Sequence, residues 1–104
     1  MLEGLSVVDV SANTFTTCAV ESQGRLYCWG RGIEGQLGLG DNQARANPTR
    51  VDTDFRVVDV SVGRFHVCVV SDTGAVACTG DNRQGQLGTG DLERRAVLTE
   101  ITLL

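Results

Sequence analysis

The residues with the most chemical reach in this chain are four cysteines and one histidine. Cys18, Cys28, Cys68 and Cys78 form a C-x9-C pair that returns at an offset of fifty residues. Structural zinc sites favour cysteines two to four residues apart, and this spacing does not fit them. In an oxidising compartment the pairs read as disulfides; in a reducing one, as small buried hydrophobes. His66 is the single histidine, and no serine or cysteine nucleophile is tied to it by motif. A structural histidine is therefore expected rather than a general base.

Two further patterns invite chemistry. Gly30-Arg31-Gly32-Ile33-Glu34-Gly35 fits G-x-G-x-x-G, but a dinucleotide site needs a helix directly behind it, whose N-terminus faces the pyrophosphate. Gln36-Leu37-Gly38-Leu39-Gly40 follows instead, and glycines at this density do not hold a helix. Asp41 and Asp91 end glycine loops, where calcium would need six or more oxygen ligands and the repeat fixes one carboxylate. Each aspartate is expected to bond amides of its own loop. All nine basic residues are arginine, which excludes Schiff-base chemistry and a phosphate-loop lysine. No catalytic residue, metal site or cofactor is expected.

The elements that position these residues are set by a repeat. Sliding the chain on itself by fifty residues aligns 1–54 with 51–104 without a gap, and 20 of the 54 pairs are identical. Identity at that level makes this a repeat protein. The identities cluster: Val7-Val8-Asp9-Val10-Ser11 returns as Val57-Val58-Asp59-Val60-Ser61. Gly35, Gln36, Leu37, Gly38, Gly40 and Asp41 return as Gly85, Gln86, Leu87, Gly88, Gly90 and Asp91.

Each copy reads as short strands between turns. Residues 7–11 are rich in β-branched side chains and predict a first strand. Asn13, matched by Gly63, marks a turn position that tolerates left-handed backbone. Residues 15–21 and 25–29 predict two strands around Ser22-Gln23-Gly24, with Gly24 at the left-handed place of a three-residue hairpin loop. That turn sets Val20 opposite Leu26 and Cys18 opposite Cys28. Cross-strand neighbours lie about 4.5–5.5 Å apart at Cα, within disulfide range. The second copy, around Asp72-Thr73-Gly74, pairs Cys68 with Cys78 in the same way. Residues 42–47 and 92–96 read as polar loops, and residues 49–51 and 99–101 as a short last strand. Trp29, Tyr27 and Phe15 read as packing residues on strands.

Cys18, Val20, Leu26 and Cys28 share one hairpin face; Thr17, Ala19, Tyr27 and Trp29 share the other. Neither face alternates with polar residues, so both must be covered, as in stacked sheets. Composition agrees with a single soluble unit. The net charge of −4 argues against non-specific nucleic-acid binding, which needs a basic patch. No apolar run reaches membrane-spanning length, and no leader is expected at Met1-Leu2-Glu3-Gly4.

LYCWGRGIEGQLGLGD, with Pro48 and Val51 behind it and VVDVSVGRFHVCVVSDTG leading to the next glycine motif, resembles the regulator of chromosome condensation repeat. The resemblance covers nearly the whole chain as two repeats. It implies an all-β fold in which 1–54 and 55–104 each form a four-stranded antiparallel blade of a β-propeller. The chain departs from the pattern at Thr16, where His66 stands in the second copy, and at Ala77, Thr79 and Leu98. The paired cysteines resemble those of exported bacterial members, so an extracellular setting is expected if they are bonded. The family implies a non-catalytic protein-interaction scaffold. Guanine-nucleotide exchange on a small GTPase, and an extracellular inhibitor or ligand-binding propeller, are the alternatives. Two blades alone leave apolar faces and strand edges open. The expected partners are therefore further repeats or further copies, three or four chains closing six or eight blades, and an unidentified protein.

Overall fold

The computed structural model describes residues 6–13, 15–82 and 93–101 and contains eight strands in two sheets. The first sheet has the order β1 (Val7–Ala12), β2 (Thr16–Glu21), β3 (Leu26–Gly30), β4 (Arg45–Val51). The second repeats it with β5 (Val57–Val62), β6 (His66–Ser71), β7 (Val76–Gly80) and β8 (Arg95–Ile101). Every pairing is antiparallel between sequence neighbours, so each sheet is a four-stranded meander drawn from one copy.

The hairpin register is the one that the turn residues dictate. Cys18 lies opposite Cys28 and Val20 opposite Leu26, with Cys68 and Val70 opposite Cys78 and Val76. Gly24 and Gly74 take the left-handed turn position, at φ 85° and 89°. Both cysteine pairs are bonded, each with Cα atoms 4.1 Å apart.

The sheets stack face to face. One face of the first, carrying Cys18, Val20, Leu26, Cys28 and Val51, meets Val57, Val60, Val62, Val67, Val69 and Ala77 of the second in one core. Burial of those side chains, each worth about 1.5–3 kcal/mol, holds the blades together. The opposite face of each sheet looks away from its neighbour. Val10 is 58% exposed whereas its repeat mate Val60 is 5% exposed. The same residue type in the same register is dry on one blade and wet on the other, because only one has a neighbour on that side.

Three expectations change. The last strand of each copy begins earlier, at Arg45 and Arg95, so residues 45–47, 95 and 96 are strand rather than loop. A register shift between Cys28 and Gly30 accommodates this, and Pro48 is tolerated because β4 is an outer-edge strand that needs no further ladder donor. Phe15 lies outside β2 and is 37% exposed, so it is no buried packing residue. The turn at 13 and 63 is not left-handed: no described non-glycine residue has positive φ, and Gly63 is not among the positive-φ glycines. Gly63 is small for another reason, since the His66 imidazole fills the place where its Cβ would stand. Gly85, Gln86, Leu87, Gly88, Gly90 and Asp91 lie outside the described residues.

Candidate protein-interaction surface

The first glycine loop is where the two blades are clamped together. Gly35, Gly38 and Gly40 all have positive φ, at 81°, 71° and 82°. The loop crosses onto the second blade, where a Cβ on Gly35 would lie 2.9 Å from the Ala96 Cα. The Thr79 hydroxyl, buried in β7, donates to the Gly35 carbonyl at 2.7 Å, and the Gly40 amide donates to the Ala96 carbonyl at 2.9 Å. Asp41 accepts from the Gln43 amide and from the Arg45 guanidinium, at 3.1 and 2.8 Å. Those contacts hold its carboxyl below the usual range, the Arg45 hydrogen bond foremost.

Gln36 of this loop is fully buried and begins a chain of contacts that reaches the surface. Its side-chain Oε1 accepts from the Glu34 backbone amide at 2.9 Å, and its side-chain Nε2–H donates to Glu34 Oε1 at 3.0 Å. Glu34 in turn accepts both N–H groups of the Arg31 fork, at 2.8 and 2.9 Å. A bidentate pair of this kind fixes direction as well as distance. It lowers the titration of Glu34 and raises that of Arg31. The Arg31 backbone is pinned too, its amide donating to the Phe15 carbonyl and its own carbonyl accepting from the Thr16 hydroxyl.

Arg31 is thereby aimed at two aromatic rings. Phe15 and Phe65, repeat mates in the turns before β2 and β6, stack with centroids 5.9 Å apart and an interplanar angle of 8°. The Arg31 guanidinium carbon lies 5.4 Å from each centroid, and Arg64 lies 5.4 Å from that of Phe65. Cation–π contacts of this kind need the cation within about 6 Å of the ring. The result is a rim of two stacked rings and two arginines straddling the blade junction. Aromatic residues and arginine are the types enriched at the centres of protein interfaces. Sequence reasoning missed the rim because residues 15, 31, 64 and 65 meet only through blade stacking. The available signal was a phenylalanine kept in both copies at a turn rather than inside a strand. Asp81 takes the place of Arg31 in the second copy, so this arrangement belongs to the first junction.

At the opposite, inner edge, β1 and β5 run side by side. The Val60 amide donates to Asp9 Oδ2 and the Val62 amide to Ser11 Oγ, both at 3.0 Å. The neighbouring Asp9 and Asp59 carboxyls push one another apart in titration, raising Asp59 and lowering Asp9, with the Val60 amide assisting the latter. The Asp59 contribution to stability is present below its unfolded value of 3.8 and lost as pH rises through the higher folded value. That of Asp9 is present above the ordinary range and lost on acidification. At neutral pH Asp59 faces a like charge. Asp59→Asn is expected to raise Tm at pH 7 by about 2–4 °C, with the gain shrinking toward pH 4, as thermal melts across that range will read.

His66 is half-buried in β6, opposite Gly80 and against Gly63. Among the described residues no group of three or more histidine, cysteine or acidic side chains is placed to hold a metal ion. A cleft of about 490 Å³ opens on the outer side of the junction, floored by Leu39, Phe55 and Leu98 and edged by Arg50, Asp52 and Asp54.

Known proteins share this architecture. Residues 23–70 match a profile described as the regulator of chromosome condensation (RCC1) repeat, and a second profile of that description matches 7–36 and 57–86. The chain is 47% identical over 49 residues to the ultraviolet-B receptor UVR8 of Arabidopsis thaliana, covering 47% of this chain and 11% of that protein. To the human E3 ubiquitin-protein ligase HERC2 it is 39% identical over 51 residues, 49% of this chain and 1% of that one. It thus spans a small fraction of either relative. The solved structure of Prp20p from Saccharomyces cerevisiae superposes with a TM-score of 0.90 at 19% identity, over 99% of this chain and 27% of that one. Human WBSCR16 gives 0.84 at 24% identity, over 97% and 28%. With two sequence-matched repeats, each folded as a four-stranded blade, the chain belongs to the RCC1 repeat family of β-propellers.

Proposed function

We propose that this chain is a non-catalytic protein-interaction module whose recognition surface is the rim of Phe15, Phe65, Arg31 and Arg64. The observation that carries this reading is the relay from buried Gln36 through Glu34 to Arg31. It commits two polar side chains, Gln36 and Glu34, to holding one guanidinium over two stacked rings at the surface. A side chain fixed before binding loses little entropy on binding, which is how a small rim gains affinity. The chemistry suits a protein segment that offers a carboxylate to the arginines and an apolar or aromatic side chain to the rings. Binding to Gsp1p and histones, named for Prp20p, fits a family of protein-binding propellers.

The test compares the protein with Arg31→Ala and Phe65→Ala in quantitative affinity capture, with circular dichroism as the folding control. Each variant is expected to keep the β spectrum and to lose captured protein by at least about 10-fold, as a central interface residue does. Unchanged capture by both folded variants removes the rim from the recognition surface. A nucleotide-release assay on small GTPases is expected to show no acceleration, and acceleration lost in Arg31→Ala would turn the reading to nucleotide exchange.

A further inference from the structure

The two sheet faces that look away from each other are the two halves of the junction that already exists inside the chain. At that junction the first copy contributes Cys18, Val20, Leu26 and Cys28, and the second contributes Val57, Val60, Val67 and Val69. The repeat mates of the first set, Cys68, Val70, Val76 and Cys78, lie on the outward face of the second blade, where Cys68, Val70 and Val76 are only half-buried. The mates of the second set, Val7, Val10, Thr17 and Ala19, lie on the outward face of the first blade. There Val7 is 45% exposed and its mate Val57 is 2% exposed.

The polar contacts repeat as well. Asp9 and Ser11 accept from the amides of Val60 and Val62 within the chain. Their identical mates Asp59 and Ser61 on β5 are exposed, and Val10 and Ala12 of β1 stand at the places of Val60 and Val62. The tightest crossing is matched too: the alanine against which Gly35 packs, Ala96, has an alanine mate at Ala46, which is exposed.

We infer that copies of this chain dock head to tail, the outward face of the second blade of one copy receiving the outward face of the first blade of the next. The contact is heterologous, and a heterologous contact closes into a ring when a whole number of its rotations completes one turn, as blade stacking in a propeller does. Three or four chains give a six- or eight-bladed propeller, and closure covers both apolar faces of every copy. This inference rests on the blade junction and not on the arginine–phenylalanine rim.

A pair of single-face variants tests it. Val10→Arg places a charge on the first-blade face and Val70→Arg on the second-blade face, and burying an unpaired charge is costly enough to abolish the contact. At about 100 μM, well above a micromolar Kd, the wild-type chain is expected to run in native mass spectrometry at three or four times its 11.1 kDa mass. Each folded variant alone is expected to be monomeric. Mixed, they retain one intact half each and are expected to form a one-to-one heterodimer and nothing larger. A monomeric wild type overturns the inference, as does a wild-type oligomer whose mixed variants do not pair, because that oligomer uses another contact. If Val70→Arg fails to fold, Ser61→Arg at an exposed position of β5 replaces it.

Discussion

Gly80→Ala is expected to unfold the second blade, whereas Gly74→Ala, six residues earlier, leaves it folded. Both glycines have positive φ, 114° and 89°, so alanine costs about 1–2 kcal/mol at either from the left-handed backbone alone. What differs is the space around the new methyl. At Gly74 nothing lies within 4 Å. At Gly80 the methyl would be driven against the Phe65 carbonyl oxygen and to 2.7 Å from the His66 Cα, backbone atoms held by the β6–β7 pairing. Overpacking of a rigid site adds about 1–3 kcal/mol, for a total of about 2–5 kcal/mol at Gly80. Stability of that order is a large part of what a domain of this size has. Gly24 is the informative intermediate. It holds the same turn position as Gly74, but its methyl would meet the Arg56 side chain, which belongs to the segment leading into the next blade. Urea unfolding is expected to rank the variants Gly74, Gly24, Gly80 in rising cost. An equal cost at Gly24 and Gly74 would mean that the linker at Arg56 does not press on the turn.

The same contrast shows what could be read from residues alone. The hairpin register was legible because one short-range rule decides it: a glycine at the third place of a three-residue loop fixes every pair behind it, down to Cys18 and Cys28. The repeat, and with it two matching sheets, was legible because identity at a constant offset needs no knowledge of packing. The bulge between Val7 and Asp9 was not legible, since nothing in Val-Val-Asp-Val marks which residue steps out of the ladder. Nor were the early starts of β4 and β8, where polar residues such as Asn47 sit on an outer edge and face water without a penalty. The arginine–phenylalanine rim was hidden for a third reason. Its members come from two turns and a loop, 50 residues apart in the extreme case of Phe15 and Phe65, and only the stacking of the blades assembles them.

Removal of the two disulfides should have unequal consequences. Each closes a loop with a sequence separation of 10, so chain entropy assigns about 2–3 kcal/mol to either. Cys18 and Cys28, however, are 0% and 1% exposed at the centre of the blade junction. Replacing both by alanine also empties sulfur volume between two packed sheets, where nothing can move in to fill it, which raises the expected cost to about 4–5 kcal/mol. Cys68→Ala with Cys78→Ala acts on the outward face and is expected to stay near the entropic 2–3 kcal/mol. Chemical denaturation of the two double variants measures the difference, and equal costs would place the second bridge in an equally packed setting. Reduction should be ordered in the same way. An attacking thiolate must reach a sulfur, and Cys68 is the half-buried member of the more open pair. Timed alkylation under mild reductant is expected to label Cys68 and Cys78 well before Cys18 and Cys28. If copies stack through that face, this first reduction must slow as protein concentration rises, while the rate for Cys18–Cys28 does not change. A bridge that is labile in the single chain and protected in the ring would tie the redox stability of the second blade to its assembly.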